Sequence, residues 1–345
     1  MAYITFQPSD HFNTKIYTGT GSTNNITGIG FQPDMNWTNK RTAGNNHAMV
    51  DVVRGVTKTI YPDEAYVEGT QSGGLTAFGT DGYTIGTSGD YNDSGVNYVS
   101  WNWKAANAQG SSNTDGSINT TYTSANTTAG FSISTYTGTG SNATVGHGLG
   151  VVPKMIIIKC LDQTYWWFTY HVGIGDNSHV TLNTSTAKSG NSAAYWNSTT
   201  PTASVFSIGT DTGVNQSGQD YVAYSFAPIK GYSKFGSYKG NGNADGAFIY
   251  TGFKPAFVMT KKVSASDSWI MLDNRRDAAP NPHKLALFAD NNNAESGDYL
   301  TDFNANGFKI RSATGSLNTS GGDYIYMAFA EEPLVSSNNV PATAK

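Results

Sequence analysis

Histidine is the side chain most often used for acid–base chemistry near neutral pH, and His147 has the most suggestive neighbours of the six histidines. It lies in the segment Gly146 to Gly150, which reads GHGLG and superficially resembles a phosphate-binding loop. The segment lacks the Lys-Ser/Thr pair and the helical sequence that follow such a loop. The repeat described below places no second histidine or carboxylate beside it. We therefore expect His147 to be a surface or strand-edge histidine.

Aspartates are the next candidates, because glycoside hydrolysis needs only two carboxylates about 5 to 10 Å apart. Most aspartates lie in turn sequences, such as Gly-Asp-Asn, where the side chain usually bonds nearby backbone. We therefore expect no catalytic residue, cofactor or metal site, and the protein is predicted not to be an enzyme. A polysaccharide depolymerase stays open as an alternative, with the candidate carboxylates Asp162, Asp176, Asp211, Asp220 and Asp298.

Aromatic side chains are the candidates for ligand binding, since flat rings can stack on the faces of sugars. A buried core position is the alternative for each of them. Trp167 and Trp269 occupy equivalent repeat positions and are predicted to be core residues. The ligand-binding residues stay unknown at this stage, and the candidates are Tyr195, Trp196, Trp101, Trp103 and Tyr299.

The single cysteine, Cys160, excludes an intramolecular disulfide framework and a multi-cysteine zinc site. It follows the apolar run Met155 to Ile158, so we expect a small buried residue on that strand. Because the run is apolar on both faces, it predicts a central strand that is buried on both sides.

An internal repeat is the main feature of the chain and organises all these residues. Each copy opens with Tyr-x-Gly-x-Gly and reaches a Gly-x-x-Pro motif 16 or 17 residues later. Each copy closes on a tyrosine-rich strand preceded by an Asn-x-x-Gly turn. The opening tyrosines are Tyr17, Tyr136 and Tyr238, the prolines are Pro33, Pro153 and Pro255, and the closing strands begin at Tyr98, Tyr221 and Tyr324.

The register of the repeat continues beyond the proline. Fourteen residues after it come His47, Trp167 and Trp269, and eighteen residues after it come Asp51, His171 and Asp273. Three residues further on, the first and third copies have arginine, whereas the second has isoleucine. We therefore predict a structural Asp–Arg ion pair that the second copy has lost, formed by Asp51 with Arg54 and by Asp273 with Arg276, with Ile174 in the second copy.

Composition indicates an all-β protein. Charged residues make up only 13% of the chain, and glycine, threonine, serine, asparagine and tyrosine are abundant, which favours short strands joined by polar turns. We predict three tandem antiparallel β-sandwich modules of jelly-roll-like form. In the first module, Met35 and Trp37 alternate with polar residues and predict a half-buried strand, while Val56 to Gly74 is predicted to be a surface loop.

The repeat also sets the expected domain boundaries. Module one with an N-terminal arm spans 1–104, and a Ser/Thr/Asn/Gly-rich linker spans 105–129. The linker is too polar to form a core by itself, although Ile118 and Tyr122 can anchor it on a neighbouring module. Module two spans 130–228, module three spans 229–333, and 334–345 is predicted to be a loose or partner-bound tail.

Charge and hydropathy narrow the classes of partner. The formal net charge of −4 gives no basic field to attract a phosphate backbone, so we expect no nucleic-acid partner. No apolar run approaches the length of a membrane span, and the N-terminus lacks the pattern of a secretory signal. We therefore expect synthesis in the cytoplasm and no insertion into a membrane.

Several long segments carry a family resemblance. FSISTYTGTGSNATVGHGLGVVPKMIIIK, GYSKFGSYKGNGNADGAFIYTGFKPAFVM and the closing YIYMAFAEEP, together with HFNTKIYTGTG and GIGFQPD, resemble the repeat-bearing virion proteins of marine tailed bacteriophages, described as tail-fibre, lectin-like or structural proteins. The resemblance covers about residues 3 to 333. It implies a structural component of the virion and brings no catalytic residues.

The resemblance leaves the position on the particle open. A tail-fibre or receptor-binding component that contacts host surface glycans is favoured, and a capsid decoration protein that stabilises the head is the alternative. The chain has no heptad shaft or collagen-like repeat, so a compact body is expected rather than a long fibre. The expected partners are other virion proteins, host glycans and further copies of the chain, in a homo-oligomer such as a trimer.

Overall fold

The computed structural model describes residues 6–42, 44–190, 193–277 and 281–332, together with the backbone of 334–335 and 341–342. Strands dominate this part of the chain, and each of its helices is a single turn. All the pairs between named strands are antiparallel. The prediction of an all-β, sandwich-like antiparallel fold is therefore confirmed, whereas the domain boundaries stay a prediction.

The first repeat contains a main sheet and a small sheet. Its elements are a 3-10 turn (Pro8–Asp10), β1 (Phe12–Thr18), β2 (Asn24–Thr27), β3 (Met35–Lys40), β4 (Ala48–Asp51), β5 (Lys58–Thr59), β6 (Gly69–Thr70), β7 (Leu75–Gly79), β8 (Gly82–Ile85), α1 (Gly89–Asn92) and β9 (Asn97–Trp103). The main sheet has the order β1-β9-β3-β4 and the small sheet the order β2-β8-β7. The first and last strands of the repeat are thus neighbours.

The second repeat has a similar arrangement, with two more strands in its main sheet and one fewer in its small sheet. Its elements are β10 (Tyr122–Asn126), β11 (Phe131–Thr137), β12 (Ala143–Gly146), β13 (Met155–Cys160), β14 (Phe168–His171), β15 (Val180–Thr181), α2 (Ala193–Trp196), β16 (Val205–Ile208), α3 (Thr212–Asn215) and β17 (Asp220–Phe226). The main sheet has the order β10-β11-β17-β13-β14-β15, and β12 pairs with β16. β13 is buried throughout, as its apolar run predicted.

The third repeat has a main sheet of five strands and a small sheet of three. Its elements are β18 (Ser233–Lys239), β19 (Phe248–Tyr250), β20 (Pro255–Lys262), β21 (Trp269–Asp273), β22 (Leu287–Phe288), β23 (Thr301–Asn304), β24 (Gly307–Ile310), α4 (Gly315–Asn318) and β25 (Asp323–Ala330). The main sheet has the order β18-β25-β20-β21-β22 and the small sheet the order β19-β24-β23. Two short strands, β26 (Leu334–Val335) and β27 (Pro341–Ala342), pair with each other within the predicted tail, most of which lies outside the described residues.

One hydrophobic core is common to all three repeats. Its centre is a triangle of three rings, one from the end of each closing strand. They belong to Trp103, Phe226 and Phe329, which occupy equivalent repeat positions. The ring centroids lie 5.7 to 6.3 Å apart, and each pair is edge-to-face, an arrangement that aromatic quadrupoles favour. The main sheets of the three repeats therefore face one pseudo-three-fold axis.

Each repeat also has a core of its own between its main and small sheets. In the first repeat this outer core includes Ile26, Tyr83 and Ile85. The second and third repeats have equivalent clusters. A larger central core, shared by the three repeats, lies beside these outer cores.

Hydrogen bonds at equivalent positions connect the repeats in a ring. The Trp167 indole donates to the Tyr61 carbonyl at 3.0 Å, and the Trp269 indole donates to the Thr181 carbonyl at 2.9 Å. At the third junction His47 replaces tryptophan, and its Nε2 lies 3.1 Å from the Asn291 carbonyl. Each repeat thus donates to another repeat in the same rotational sense.

A second ring involves the backbone eight residues after each repeated proline. The carbonyls of Leu161, Val263 and Arg41 accept from the backbone N–H groups of loop residues in the neighbouring repeat, at 2.8 to 3.1 Å. The donors are Glu68, Lys188 and Glu295, respectively. Buried backbone groups need such partners, so these bonds fix how deeply each loop enters the next repeat.

A third ring uses the Asp/His position. The Tyr224 hydroxyl donates to Asp51 at 2.6 Å, and the Trp101 indole donates to Asp273 at 3.2 Å. At the third junction His171 Nδ1 accepts from the Gly173 N–H, so Nε2 carries the proton and donates to the Tyr326 carbonyl at 3.0 Å.

The predicted Asp–Arg pairs are present at this position. Asp51 and Arg54 lie 2.6 Å apart, as do Asp273 and Arg276, and both pairs are almost completely buried. The arginines also approach equivalent glutamates, Glu68 and Glu295, at 3.0 and 3.6 Å. The second repeat has His171, Ile174 and Lys188 instead, so all three members of the charged group are replaced together.

Two expectations about individual segments, that β3 is half-buried and that Val56 to Gly74 is a surface loop, differ from the structure. The polar face of β3 is buried too, because Asn36 bonds Asn102 at 2.8 Å inside the first repeat. The predicted loop from Val56 to Gly74 contains the paired strands β5 and β6 and the buried Ile60. The N-terminal arm packs on its own chain, since the Phe6 ring lies 5.1 Å from the Tyr232 ring; residues 1–5 lie outside the described part.

The segment 105–129, predicted to be a linker, is ordered along the second repeat. Its last part forms β10, which pairs with β11 along all five residues. Ile118 is buried in the outer core of the second repeat, as its predicted anchoring role required, whereas Tyr122 is 36% exposed. Thr and Ser side chains were the reason to expect a linker, and here they pair across two strands instead, as between Thr123 and Ser134 at 3.0 Å.

The Tyr224→Phe substitution tests the third ring. It removes the hydroxyl that donates to buried Asp51, and a hydrogen bond to a charged group contributes about 1.5–3 kcal/mol. We expect the free energy of unfolding in urea to fall by about that amount. The control is Tyr250→Phe, since Tyr250 is 59% exposed and its hydroxyl should matter little. Equal stability of the two variants would contradict the role of this junction.

The two junction histidines predict acid sensitivity. Burial lowers the pKa of His171 to about 4 and that of His47 to about 3, below the ordinary value of 6.5. At a pH between the ordinary pKa of 6.5 and these lowered values, the unfolded chain binds more protons than the folded chain. The free energy of unfolding therefore falls as the pH drops from about 6.5 toward 4, by about 3 kcal/mol for His171 alone.

Thermal unfolding between pH 7.5 and 4.5 measures this effect. The matched variant is His171→Asn, whose side-chain oxygen can still accept from the Gly173 N–H, as Asp51 accepts from Val53, but does not titrate. We expect the variant to lose less stability than the wild type over this range. A wild-type stability that is flat across the range would show the prediction to be wrong.

Candidate functional site: an aromatic cleft in the second repeat

The histidines and aspartates singled out from the sequence have structural roles. His147 is fully buried, which corrects the expected surface position, and its Nε2 lies 3.2 Å from the Thr202 carbonyl. Asp211 caps helix α3 through Gly213 N–H at 2.8 Å, and Asp176 accepts from Thr200 at 2.7 Å. Asp298 is exposed beside the third small sheet.

Asp162 and Asp220 are the one pair of these carboxylates that a hydrogen bond brings together. Asp162 accepts from the Asp220 backbone N–H at 2.6 Å, while the Asp220 side chain accepts from Thr137 at 2.7 Å. Both aspartates are exposed at a strand end and bond local backbone or a neighbouring hydroxyl. The two side chains therefore act as turn residues here.

Two buried lysines could do chemistry, since burial lowers the pKa of both Lys159 and Lys261 to about 8. The ammonium groups point to backbone carbonyls, however. Lys159 donates to Cys160 at 2.7 Å, and Lys261 donates to Ser185 of the neighbouring repeat at 2.9 Å. No surface cleft described below includes either lysine, so they serve the junctions between repeats.

Most of the aromatic candidates are core residues. Trp101, Trp103, Trp196, Trp167 and Trp269 are at most 2% exposed, so the core alternative is the correct one for them. Cys160 is buried on β13 as expected. Tyr195 and Tyr299 are half-buried, and Tyr195 lines a surface cleft.

That cleft has a volume of about 440 Å³ and lies on the surface of the second repeat. β15 and the segment that follows it form one wall, and the residues preceding β14 and those of helix α2 form the other. The volume falls within the range of about 300–1,000 Å³ that is common for small-molecule sites. The lining residues are Trp166, His179, Val180, Thr181, Thr186, Ala187, Lys188, Ser189, Gly190 and Tyr195.

Trp166 is the tryptophan that lines this cleft, and 54% of its surface is accessible. It directly precedes Trp167, whose indole is fixed in the junction with the first repeat. Adjacent residues of an extended chain point to opposite sides. Because Trp167 is anchored inward, the chain holds the Trp166 ring outward without burying it.

An uncharged aromatic pair forms the floor beside it. The rings of His179 and Tyr195 lie 4.0 Å apart, and Phe168 supports both at 5.5 and 4.7 Å. Burial lowers the pKa of His179, and burial together with the Asp211 charge raises that of Tyr195 to about 12. Both side chains are therefore neutral near pH 7. The His179 Nδ1 atom is buried and has no hydrogen-bond partner among the described residues.

The opposite wall carries hydroxyl groups. Thr181, Thr184 and Thr186 hydrogen-bond to one another, with 2.7 Å between the hydroxyls of Thr184 and Thr186. Lys188 supplies the single charge among the lining residues, and no carboxylate lines the cleft. The lining residues therefore offer flat apolar surface, neutral hydrogen-bonding groups and one cation.

These properties match the chemistry of a neutral or mildly anionic saccharide. A sugar ring presents an apolar C–H face and a rim of hydroxyls, and such ligands are held by aromatic surface together with a few placed polar groups. The cleft offers Trp166 to the face and the threonine hydroxyls to the rim. The lining residues do not include the pair of carboxylates that glycoside cleavage uses.

Sequence reasoning found Tyr195 but missed Trp166 and His179. The available signal was the Trp166-Trp167 pair: once the repeat register assigns Trp167 to the core, its neighbour must point the other way. His179 had no such signal, because its contact with Tyr195 joins residues that only the folded loop brings together.

The described residues contain no group of three or more His, Cys, Asp or Glu side chains that could hold a metal ion. Within the same residues, no helix is long and apolar enough to span a bilayer. A family model described as a domain of unknown function (DUF7483) matches residues 7–333. No curated protein and no solved structure matches the chain.

The adjacent tryptophans give a test of this geometry. Trp166→Ala should change the free energy of unfolding by less than about 0.5 kcal/mol, because the ring is largely exposed. Trp167→Ala should cost about 3–5 kcal/mol, because it empties a core site and removes the indole that donates to the Tyr61 and Glu64 carbonyls. Chemical denaturation of both variants measures the difference. Similar losses would show that Trp166 is a structural residue.

Proposed function

The chain belongs to the DUF7483 family, over residues 7–333, and from its structure we propose a non-enzymatic carbohydrate-binding protein of the bacteriophage virion surface. Its proposed place is the tail, as a tail-fibre or receptor-binding component that contacts host surface glycans. The site of contact is the aromatic cleft of the second repeat.

The observation that carries this proposal is the exposed Trp166 ring above a cleft that lacks carboxylates. An exposed tryptophan held in place by an anchored neighbour costs little conformational entropy when a ligand binds, because its backbone is already fixed. The surrounding hydroxyls are likewise held by hydrogen bonds to one another. The cleft is thus preorganised for a polar ligand with a flat face.

The assignment to a virion rests on the resemblance of the repeat segments to phage structural proteins. The compact body is consistent with it, since three sheets on one core and three rings of hydrogen bonds make a rigid support for surface sites. Rigid strands with polar loops suit a particle that meets its receptor outside the cell.

A capsid decoration protein is the second candidate, and the pseudo-three-fold axis favours it. Three related sheets around one axis give the chain the approximate symmetry of a trimer, and such a body can sit on a local three-fold position of a capsid. Because this symmetry lies within a single chain, it does not by itself require the expected homo-oligomer. We keep that partner as a prediction, alongside other virion proteins. A polysaccharide depolymerase has less support, because the candidate aspartates have local roles.

Binding to a glycan array tests the proposed site. We expect the wild-type chain to bind a subset of neutral or mildly anionic glycans, and Trp166→Ala to weaken binding at least about tenfold, which corresponds to about 1.4 kcal/mol. The matched control is Tyr250→Ala, which removes an exposed ring in the third repeat, far along the chain from the cleft. A loss shared equally by both variants, or no binding by folded wild-type protein, would overturn the assignment of this site.

Competition with phage adsorption then tests the place on the particle. Purified protein added to host cells should lower the number of adsorbed phage in a dose-dependent manner, and Trp166→Ala should compete less well. If folded protein binds glycans but leaves adsorption unchanged, the tail assignment is wrong. Binding to capsids with a gain in their heat resistance would favour the decoration role.

A further inference from the structure

A second cleft, about 560 Å³ in volume, lies where the first and third repeats meet. Four consecutive residues, Asn13 to Ile16, line it from the first repeat. Side chains alternate between the two faces of a strand, so consecutive residues can share one cleft only if the cleft follows the strand edge. That edge is open among the described residues, because β1 has a single neighbouring strand there, β9.

The second repeat shows what fills the same position. Residues 131–135 of β11 are the repeat equivalents of residues 12–16 of β1, counted from the opening tyrosines. In the second repeat β10 pairs along these five residues, from Asn126 opposite Phe131 to Tyr122 opposite Thr135. The cleft beside β1 therefore occupies the place where the chain adds its own strand to β11.

The residues that face the edge of β1 and the edge of β11 from a neighbouring repeat also correspond. The segment that leads to β10 contacts the first repeat, where Gln109 donates to the Val53 carbonyl at 2.9 Å. Val53 lies twenty residues after its repeated proline, and Arg275 holds the same position in the third repeat. Arg275 lines the cleft beside β1. The covered edge and the open edge are thus bounded by equivalent residues.

Two buried polar atoms in the cleft lack partners among the described residues. The Thr14 hydroxyl belongs to a side chain that is 7% exposed, and the His283 Nδ1 atom to one that is 4% exposed. A buried polar group without a hydrogen bond is costly, so unsatisfied groups usually indicate a missing partner. Both atoms belong to residues that line the same space.

The charges at the cleft favour an acidic occupant. Its cationic residues are Lys15, Lys254 and Arg275. Lys254 is paired with Glu331 at 2.8 Å, and Asp277 accepts from the Lys284 backbone N–H at 2.9 Å. The Lys15 charge acts on Asp81, outside the lining. Two acids against three cations leave a positive balance at the rim.

We propose that this cleft binds an extended, acidic peptide segment of a partner protein, which adds to the edge of β1 as β10 adds to β11. The strand edge supplies backbone hydrogen bonds, and Lys15 and Arg275 select a carboxylate. A saccharide is less suited to this cleft, since no tryptophan, tyrosine or phenylalanine lines it. This inference does not depend on the carbohydrate site of the second repeat.

A peptide copied from the chain itself provides the probe. It has the sequence of residues 120–127 with Ser124→Asp, TTYTDANT, so that the new carboxylate faces the equivalent of Ile133, which is Thr14. Hydrogen–deuterium exchange of the full-length protein, with the peptide at about millimolar concentration, should show slower exchange in residues 12–18. The same peptide with alternate backbone nitrogens methylated should not bind, because it cannot pair with a strand edge.

Charge variants complete the test. The double substitution Lys15→Gln with Arg275→Gln should weaken binding of the acidic peptide at least about tenfold, while Lys239→Gln, an exposed lysine outside the cleft, should leave it unchanged. Unchanged exchange in β1, or equal binding of the methylated peptide, would overturn the proposal. So would protection by galacturonate or inorganic phosphate without protection by the peptide, since the cleft would then be a small-anion site.

Discussion

The packing of Trp103, Phe226 and Phe329 against one another is the contact on which the rest of the structure depends. Each ring lies at the end of the closing strand of a different repeat, and each closing strand pairs with two strands of its own main sheet: β9 with β1 and β3, β17 with β11 and β13, and β25 with β18 and β20. Bringing the three rings together therefore brings three whole sheets together. Edge-to-face contact among three rings is satisfied by a triangle, so aromatic packing and the pseudo-three-fold arrangement support each other.

The hydrogen bonds at the junctions add direction to this apolar contact. Hydrophobic burial does not specify rotation, whereas a buried indole such as that of Trp167 or Trp269 must reach one particular carbonyl. The junctions differ in their chemistry while keeping their geometry. At the Asp/His position two junctions use a carboxylate and an arginine, and the third uses neutral His171 with a backbone acceptor. A buried ion pair is thus replaceable when all its members change together.

The shared core leaves the outer surfaces free to differ among the repeats, and both proposed sites use such differences. In the second repeat, Trp167 enters the junction with the first repeat, while the preceding Trp166 stays outside it and lines the aromatic cleft. The β1 edge is open because the strand that covers the equivalent edge of β11 comes from a segment present once in the chain. Approximate symmetry at the axis therefore coexists with distinct chemistry at the periphery.

The sequence alone determined the all-β class, the three-fold repeat, the core role of Trp167 and Trp269 and the Asp–Arg pairs, because hydrophobic alternation and repeat register are local and periodic properties. It did not determine that residues 122–126 form a strand or that His147 is buried, since a polar segment looks the same whether water or another strand satisfies it. The contacts between repeats, and with them the exposure of Trp166 and the open edge of β1, were decided by tertiary structure. They join residues far apart in the chain, whose proximity no local pattern encodes.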